Sequence, residues 1–156
     1  MAKDIAHGLE ESITKLVKVV SKLRDPDQGC PWDKEQTHQS LIPYVLEEAY
    51  EVVDAIREEN YKNLIEELGD LLLQVILHAQ IASEENQFSL LDIIQGITEK
   101  LIRRHPHVFN KKKVLNIKEV QSNWEEIKSS EKSLSSSITP ISDDLKDKTR
   151  SQPSIN

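Results

Sequence analysis

Cysteine occurs once in this chain of 156 residues, glycine four times and proline six times, and aromatic side chains make up 4%. A single cysteine cannot close an intramolecular disulfide, which excludes a cross-linked secretory framework. None is needed, because a chain of this length buries roughly two-thirds of its unfolded surface on folding. The scarcity of aromatics and glycine disfavours strands and suits helices. No run approaches the ~18 consecutive apolar residues of a spanning helix; the richest, Leu71 to Ile76, is broken by Gln74. Met1-Ala2-Lys3-Asp4 leads into alternating charged and apolar residues without the apolar core of a signal peptide. The expectation is a cytoplasmic protein with no membrane partner. A basic excess is missing too, since 20 lysines and arginines against 27 acids leave a net charge of −7. Nucleic-acid-binding domains usually carry the opposite sign, so no nucleic-acid partner is expected. A phosphate ligand bridged by a metal cation is compatible, because the cation supplies the attraction.

What is present is helical periodicity. Ile5, Leu9, Ile13, Leu16, Val17, Val20 and Leu23 form one stripe over residues 5–23. Asp25-Pro26-Asp27-Gln28-Gly29 predicts a turn, with glycine available for positive φ. Cys30-Pro31-Trp32-Asp33 predicts an ordered loop, with Thr37 or Ser40 capping the next helix. That helix, 40–58, carries Leu41, Ile42, Val45, Leu46, Ala49, Val52, Val53 and Ile56 on one stripe. A short connection at Glu59-Asn60 makes the following helix, 61–84, its antiparallel neighbour. The second helix is apolar around most of its circumference, which calls for cover on two sides; in a domain this small, another subunit supplies it. Ser89 and Asp92 form a capping pattern for a helix ending before Pro106, and Asn116 with Glu119 repeats it for a last helix. The expected fold is all-α, a helical bundle built around an antiparallel hairpin and completed by oligomerisation. Residues 1–128 make the domain, and 129–156 read as a polar, Ser-rich tail too poor in apolar surface to order itself.

The most informative residues are Glu47, Glu48 and Glu51 on the first hairpin helix and Glu67 and Asp70 on the second. Carboxylates three residues apart stand about 60° apart on a helix, so two such pairs can face each other across the hairpin. Like charges that close repel, and a cation relieves the repulsion. All-oxygen donors suit Mg²⁺, Mn²⁺ or Ca²⁺ rather than zinc. The plainer reading is a solvated acidic face, as at Glu10-Glu11 or Glu84-Glu85. Asp70, Gln74 and His78 extend a polar stripe through a greasy segment and weigh toward the metal; residue types and spacing leave both readings open.

A second cluster, Lys100-Leu101-Ile102-Arg103-Arg104-His105-Pro106-His107, concentrates cations at a helix end. Such residues complement the helix dipole without any ligand, or they grip phosphate oxygens. His78 alone reads as a hydrogen-bonded core residue, and Cys30 and His38 lack zinc spacing. Trp32 and Trp124 read first as packing residues.

Taken in order, Gly29-Cys30-Pro31-Trp32-Asp33, Gln36-Thr37-His38, Glu47-Glu48-Ala49-Tyr50-Glu51, Glu66-Glu67-Leu68-Gly69-Asp70 and Lys100 to Phe109 resemble the MazG nucleoside triphosphate pyrophosphohydrolases, members of the all-α NTP pyrophosphatases. The similarity runs from about Leu23 to Ile127. It implies Mg²⁺-dependent hydrolysis of an NTP or dNTP to the monophosphate and pyrophosphate, with Mn²⁺ as a substitute, and a homodimer or higher homo-oligomer. Family metal ligands fall on Glu48, Glu51, Glu67 and Asp70. Nucleotide contacts fall on Tyr44, Glu48, Asn63, Glu66, Lys100, Arg103, Arg104 and Trp124, and Glu47 is a candidate to orient the attacking water. Longer members carry two copies of the domain where this sequence has one. Rival readings are a dUTP or phosphoribosyl-ATP pyrophosphohydrolase, a non-catalytic helical dimerisation module, and a nucleic-acid binder using Lys100 to Lys113.

Overall fold

A computed structural model of the chain describes residues 2–110, 113 and 116–135. Among the described residues seven helices follow one another: α1 (Ala2–Leu23), α2 (Pro31–Glu35), α3 (Ile42–Arg57), α4 (Tyr61–Glu84), α5 (Leu90–Arg104), α6 (Pro106–Phe109) and α7 (Ile117–Ser135). No strand occurs among the described residues, and no described helix is long and apolar enough to cross a membrane. The chain divides into two compact units between Gly96 and Ile97, within α5.

In the first unit, α4 packs along α3 and against α1. The core gathers Val20 of α1, Leu41 before α3, and Ile76, Leu77 and Ile81 of α4, with Leu16, Val17, Leu73 and Leu90 packed around them. Leu41, Leu77 and Val20 are fully buried, each contributing about 1.5–3 kcal/mol of apolar transfer. The α3–α4 turn closes by a double bond pattern: the Asn60 amide donates to the Ala55 carbonyl and the Glu59 amide to that of Ile56. Glu59 takes the left-handed conformation this requires, φ 53°. Asn86, φ 55°, repeats the device after α4, with the Gln87 amide donating to Ala82 and that of Asn86 to Ser83. The Asn60 carboxamide then caps α4 by accepting from the Asn63 amide. Three residues reverse the chain, and the helices pair antiparallel.

Three local expectations need correction. Residues 30–33 are not a loop, because Pro31 begins the five-residue helix α2, where its missing N–H costs nothing. Thr37 and Ser40 do not cap α3. They close their own turn reciprocally, each amide donating to the other's hydroxyl. Leu41 takes the cap position of α3, and proline in the first turn removes one of the donors a cap would satisfy. Gly29 does not have positive φ; it is required by space, since a Cβ there would lie 2.4 Å from the carbonyl oxygens of Leu23 and Asp25.

Arg24 ties this turn region to the core helix. Its side chain is 7% exposed, and Nη1 donates to the carbonyls of Asp33 and Gln36 while Nε and Nη2 fork onto Glu84 at the end of α4. Arg24→Ala is expected to cost about 2 kcal/mol in urea unfolding at neutral pH, mostly from the carbonyls left without a donor, because partly exposed Glu84 is screened. The Arg24 hydrogen bond holds the Glu84 carboxyl below its ordinary value. This part of the stability is present above the ordinary glutamate pKa and fades as pH falls through the lowered one. The gap between wild type and variant should therefore narrow in acid.

In the second unit the end of α5 meets α7 through Arg103, Arg104 and Glu131. Asn116 caps α7 by accepting from the Glu119 amide. The helix continues to Ser135, so residues 129–135, expected to begin a disordered tail, are helical. The remainder of that tail, 136–156, lies outside the described residues.

Candidate functional site

The hairpin gathers its carboxylates on facing turns of α3 and α4. One carboxylate oxygen each from Glu48, Glu67 and Asp70 can be chosen so that all lie within 4.8 Å of one another. Glu51 stands beside both Glu48 and Glu67, and its carboxyl raises theirs by its charge and by the proton a carboxyl pair can share. Glu48 and Glu67 are half-buried, whereas Glu51 and Asp70 are exposed. Asp70 is therefore not enclosed by its greasy helix: the polar stripe opens to solvent at this end and closes at buried Gln74.

Desolvation first, then Asp70 and Glu51, push the Glu48 carboxyl above its ordinary value. Glu67 is raised by desolvation, by its hydrogen bond with Glu51 and by the charges of Glu51, Asp70 and Glu66. Every charge acting on these two groups is another carboxylate, and no cationic side chain among the described residues offsets them. Four oxygen donors without a balancing charge fit a hard divalent cation in both donor type and charge.

Around this group, Glu47 is exposed on α3 beside Glu48, and Tyr44 stands one turn before Glu48. The Tyr44 ring meets half-exposed Trp32 edge-on, centroids 5.5 Å apart. Glu66 is exposed on α4, and Asn63 uses its amide in the helix cap. His78 pairs with His38, Nδ1 to Nδ1 at 2.7 Å, in rings tilted by only 5°. The ring centres are 5.0 Å apart, which is the nitrogen separation plus one ring radius on each side, so the rings meet edge to edge through one shared proton. Burial first, then the His38 ring, lowers the His78 pKa. His78 is thus a hydrogen-bonded helix residue rather than a member of the carboxylate group.

In the second unit, Lys100 is exposed on α5. Arg103 and Arg104 converge on Glu131 of α7, with Arg103 Nε 2.5 Å from Oε1 and Arg104 Nη2 2.7 Å from Oε2. The Arg104 guanidinium also lies 5.0 Å over the Trp124 ring, which meets the His105 ring at 70° with centroids 5.2 Å apart. His105 Nδ1 donates to the Leu101 carbonyl, which fixes its proton on that nitrogen. The two arginines hold the Glu131 carboxyl down at about 2. Trp124 is therefore more than packing, since it carries a cation on its face.

Two connections had no signal in the sequence. Arg24 stands in an ordinary amphipathic stretch, and Glu131 lies in the segment read as tail. Only its spacing from Trp124, two turns along one helix face, marks Glu131 in retrospect.

Comparison with known proteins places these residues in a family context. Residues 36–109 match the MazG nucleotide pyrophosphohydrolase domain. Over 131 residues the chain is 48% identical to the nucleoside triphosphate pyrophosphohydrolase of Escherichia coli K12, covering 84% of this chain and 50% of that protein. It is 52% identical over 118 residues to the nucleoside triphosphate pyrophosphohydrolase/pyrophosphatase MazG of Thermotoga maritima, covering 76% and 44%. An uncharacterized Bacillus subtilis protein, YabN, is 56% identical over 119 residues, which is 76% of this chain and 24% of YabN. The chain thus spans half or less of the length of these curated relatives. Among solved structures, a mazG-related protein from Thermotoga maritima superposes with a TM-score of 0.62 at 29% identity, covering 74% of this chain and 98% of that one.

Proposed function

We propose that the chain, whose residues 36–109 match the MazG nucleotide pyrophosphohydrolase domain, belongs to that family and hydrolyses nucleoside triphosphates to the monophosphate and pyrophosphate. The observation that carries the reading is the uncompensated group of Glu48, Glu51, Glu67 and Asp70 on facing helices. These four carboxylates are assigned to a divalent cation, Mg²⁺ with Mn²⁺ as substitute. When bound, it neutralises triphosphate charge and makes a bound water more acidic. Glu47 accepts a hydrogen bond from the attacking water and turns its lone pair toward the α-phosphorus. The water oxygen bonds to that phosphorus while one of its protons passes to Glu47 and on to solvent, the bond to the bridging oxygen breaks, and pyrophosphate leaves with the electron pair. Lys100, Arg103 and Arg104 donate N–H groups to phosphate oxygens, compensating charge as it moves to the leaving group. Tyr44, Asn63, Glu66 and Trp124 contact the nucleoside portion. The role is nucleotide-pool house-cleaning in the cytoplasm.

The test is a panel of NTPs and dNTPs with Mg²⁺, separating pyrophosphate from orthophosphate by chromatography. Pyrophosphate release that stops in EDTA is expected. Its absence across the panel returns the hairpin to a non-catalytic dimerisation module.

Assembly is part of the proposal. Ile65, Leu68, Leu72 and Val75 form one exposed apolar stripe on α4, and Ile42, Leu46, Tyr50 and Val53 form another on α3. Contiguous apolar faces on paired helices fit a second copy of the chain. Light scattering should give at least a dimer at micromolar concentration, and an active, stable monomer would refute this.

A further inference from the structure

We infer that Glu131 is a positioning residue that sets Arg103 and Arg104 for a phosphate-rich ligand by anchoring Arg103 at Nε and Arg104 along its Nε–Nη2 edge. The inference rests on the nucleotide reading for the ligand class, but the geometry belongs to α5 and α7 alone. Glu131 Oε1 accepts from Arg103 Nε, while Oε2 accepts from Arg104 Nε at 3.2 Å and from its Nη2 at 2.7 Å. Three donors are thus used, and among the described residues no hydrogen bond takes either Nη of Arg103 or Nη1 of Arg104. A guanidinium has five N–H groups in a fixed plane, so fixing one edge orients the other. Trp124 fixes the plane of Arg104 from its face, and it stands seven residues before Glu131 on α7.

The charge balance separates an anchor from a plug. One carboxylate against two arginines leaves one positive charge, and Lys100 on α5 adds another, so the cluster still attracts an anion. Two adjacent arginines without Glu131 repel each other and retain their rotamer freedom, which a ligand must then remove at its own expense. The carboxyl, held at about 2, remains charged throughout any physiological range, so the anchor is permanent rather than switched.

The experiment uses the full chain and inorganic pyrophosphate with Mg²⁺, measured by calorimetry, beside steady-state kinetics with NTP. Glu131→Ala is expected to weaken pyrophosphate binding about tenfold, the scale expected when a ligand must itself order two long side chains. Glu131→Gln, which keeps an oxygen acceptor but no charge, should fall between the alanine variant and wild type. If NTP is hydrolysed, the loss should appear mainly in KM. The effect should shrink in an Arg104→Ala background, because Glu131 acts through that side chain. Thermal melts identify variants that fail to fold, and the glutamine variant decides if alanine does. Tighter pyrophosphate binding by either variant would make Glu131 a plug and overturn the inference. So would unchanged binding, or a wild-type chain that binds no pyrophosphate. A chain that hydrolyses no NTP yet loses pyrophosphate affinity on Glu131→Ala would sink the proposed function and leave this inference standing.

Discussion

Replacing Glu67 by glutamine or Asp70 by asparagine is expected to reduce kcat/KM by about 10³-fold or more while making the metal-free protein more stable. The rate effect follows from the role assigned to the cation. Several kcal/mol of charge stabilisation in phosphoryl transfer depend on it, and each 1.36 kcal/mol is about a factor of ten. The stability effect follows from the site itself. Glu67 is held above its ordinary pKa by desolvation and by Glu51, Asp70 and Glu66, so ionising it in the folded chain is unfavourable. Glutamine occupies nearly the same volume and keeps an N–H for the Glu51 carboxylate at every pH, where ionised glutamate only repels it. The pH dependence has a definite sign. The folded state holds this proton more tightly than the unfolded state, so metal-free wild type loses stability as pH rises from the ordinary glutamate value through the raised one. Glu67→Gln should flatten that slope. Thermal melts in EDTA and in Mg²⁺ check both effects: wild type should gain more from Mg²⁺ than either variant. Normal turnover by both purified variants would remove the carboxylates from the chemistry.

How far the site could be read from the sequence depends on the range of the interactions. That Glu47, Glu48 and Glu51 would lie across a hairpin from Glu67 and Asp70 was legible because these carboxylates recur at three or four residues on periodic helices and Glu59-Asn60 leaves no room for anything but a tight reversal; the choice of Glu48 over Glu47 came from the family resemblance. The caps at Ser89 and Asn116 were legible for the same local reason. Helix α2 was not, since five residues are too few for a period to emerge. Gly29 was correctly placed in a turn, but its reason, the close approach of two carbonyl oxygens, belongs to tertiary structure. The contacts of longest range left no trace. Arg24 reaches Glu84 sixty residues away, His38 meets His78 across forty, and Arg103 finds Glu131 across twenty-eight. A charged or imidazole side chain reads alike in a sequence whether solvated or paired, and only the fold decides which. That is why residues 129–135 read as the start of a tail: their apolar content is low, and the ion pairing of Glu131 within this stretch of α7 leaves no mark in the sequence.

Arg104→Ala should cost both stability and catalysis, and the sizes of the two losses distinguish its roles. A cation that only complements a helix terminus contributes ~0.3–1 kcal/mol and nothing to turnover. Arg104 does more than this, because it is 13% exposed, lies over Trp124 and pairs with Glu131, so its removal should lower the melting temperature visibly. If it also holds a phosphate oxygen, a charge-assisted hydrogen bond worth roughly 1.5–3 kcal/mol is lost, on the order of 10- to 150-fold in kcat/KM. The contact strengthens as charge moves onto the departing pyrophosphate, so part of that loss should fall in kcat. Arg104→Lys tests the geometry. An ammonium restores the charge, but it cannot bond Glu131 from one edge and phosphate from another, nor lie flat on the indole. Lysine should therefore recover much of the lost stability and only a small part of the lost rate. Steady-state kinetics of both variants, beside melts without nucleotide, give the comparison. A lysine variant with full kcat/KM, or an alanine variant that melts early yet turns over normally, would confine Arg104 to holding α5 against α7.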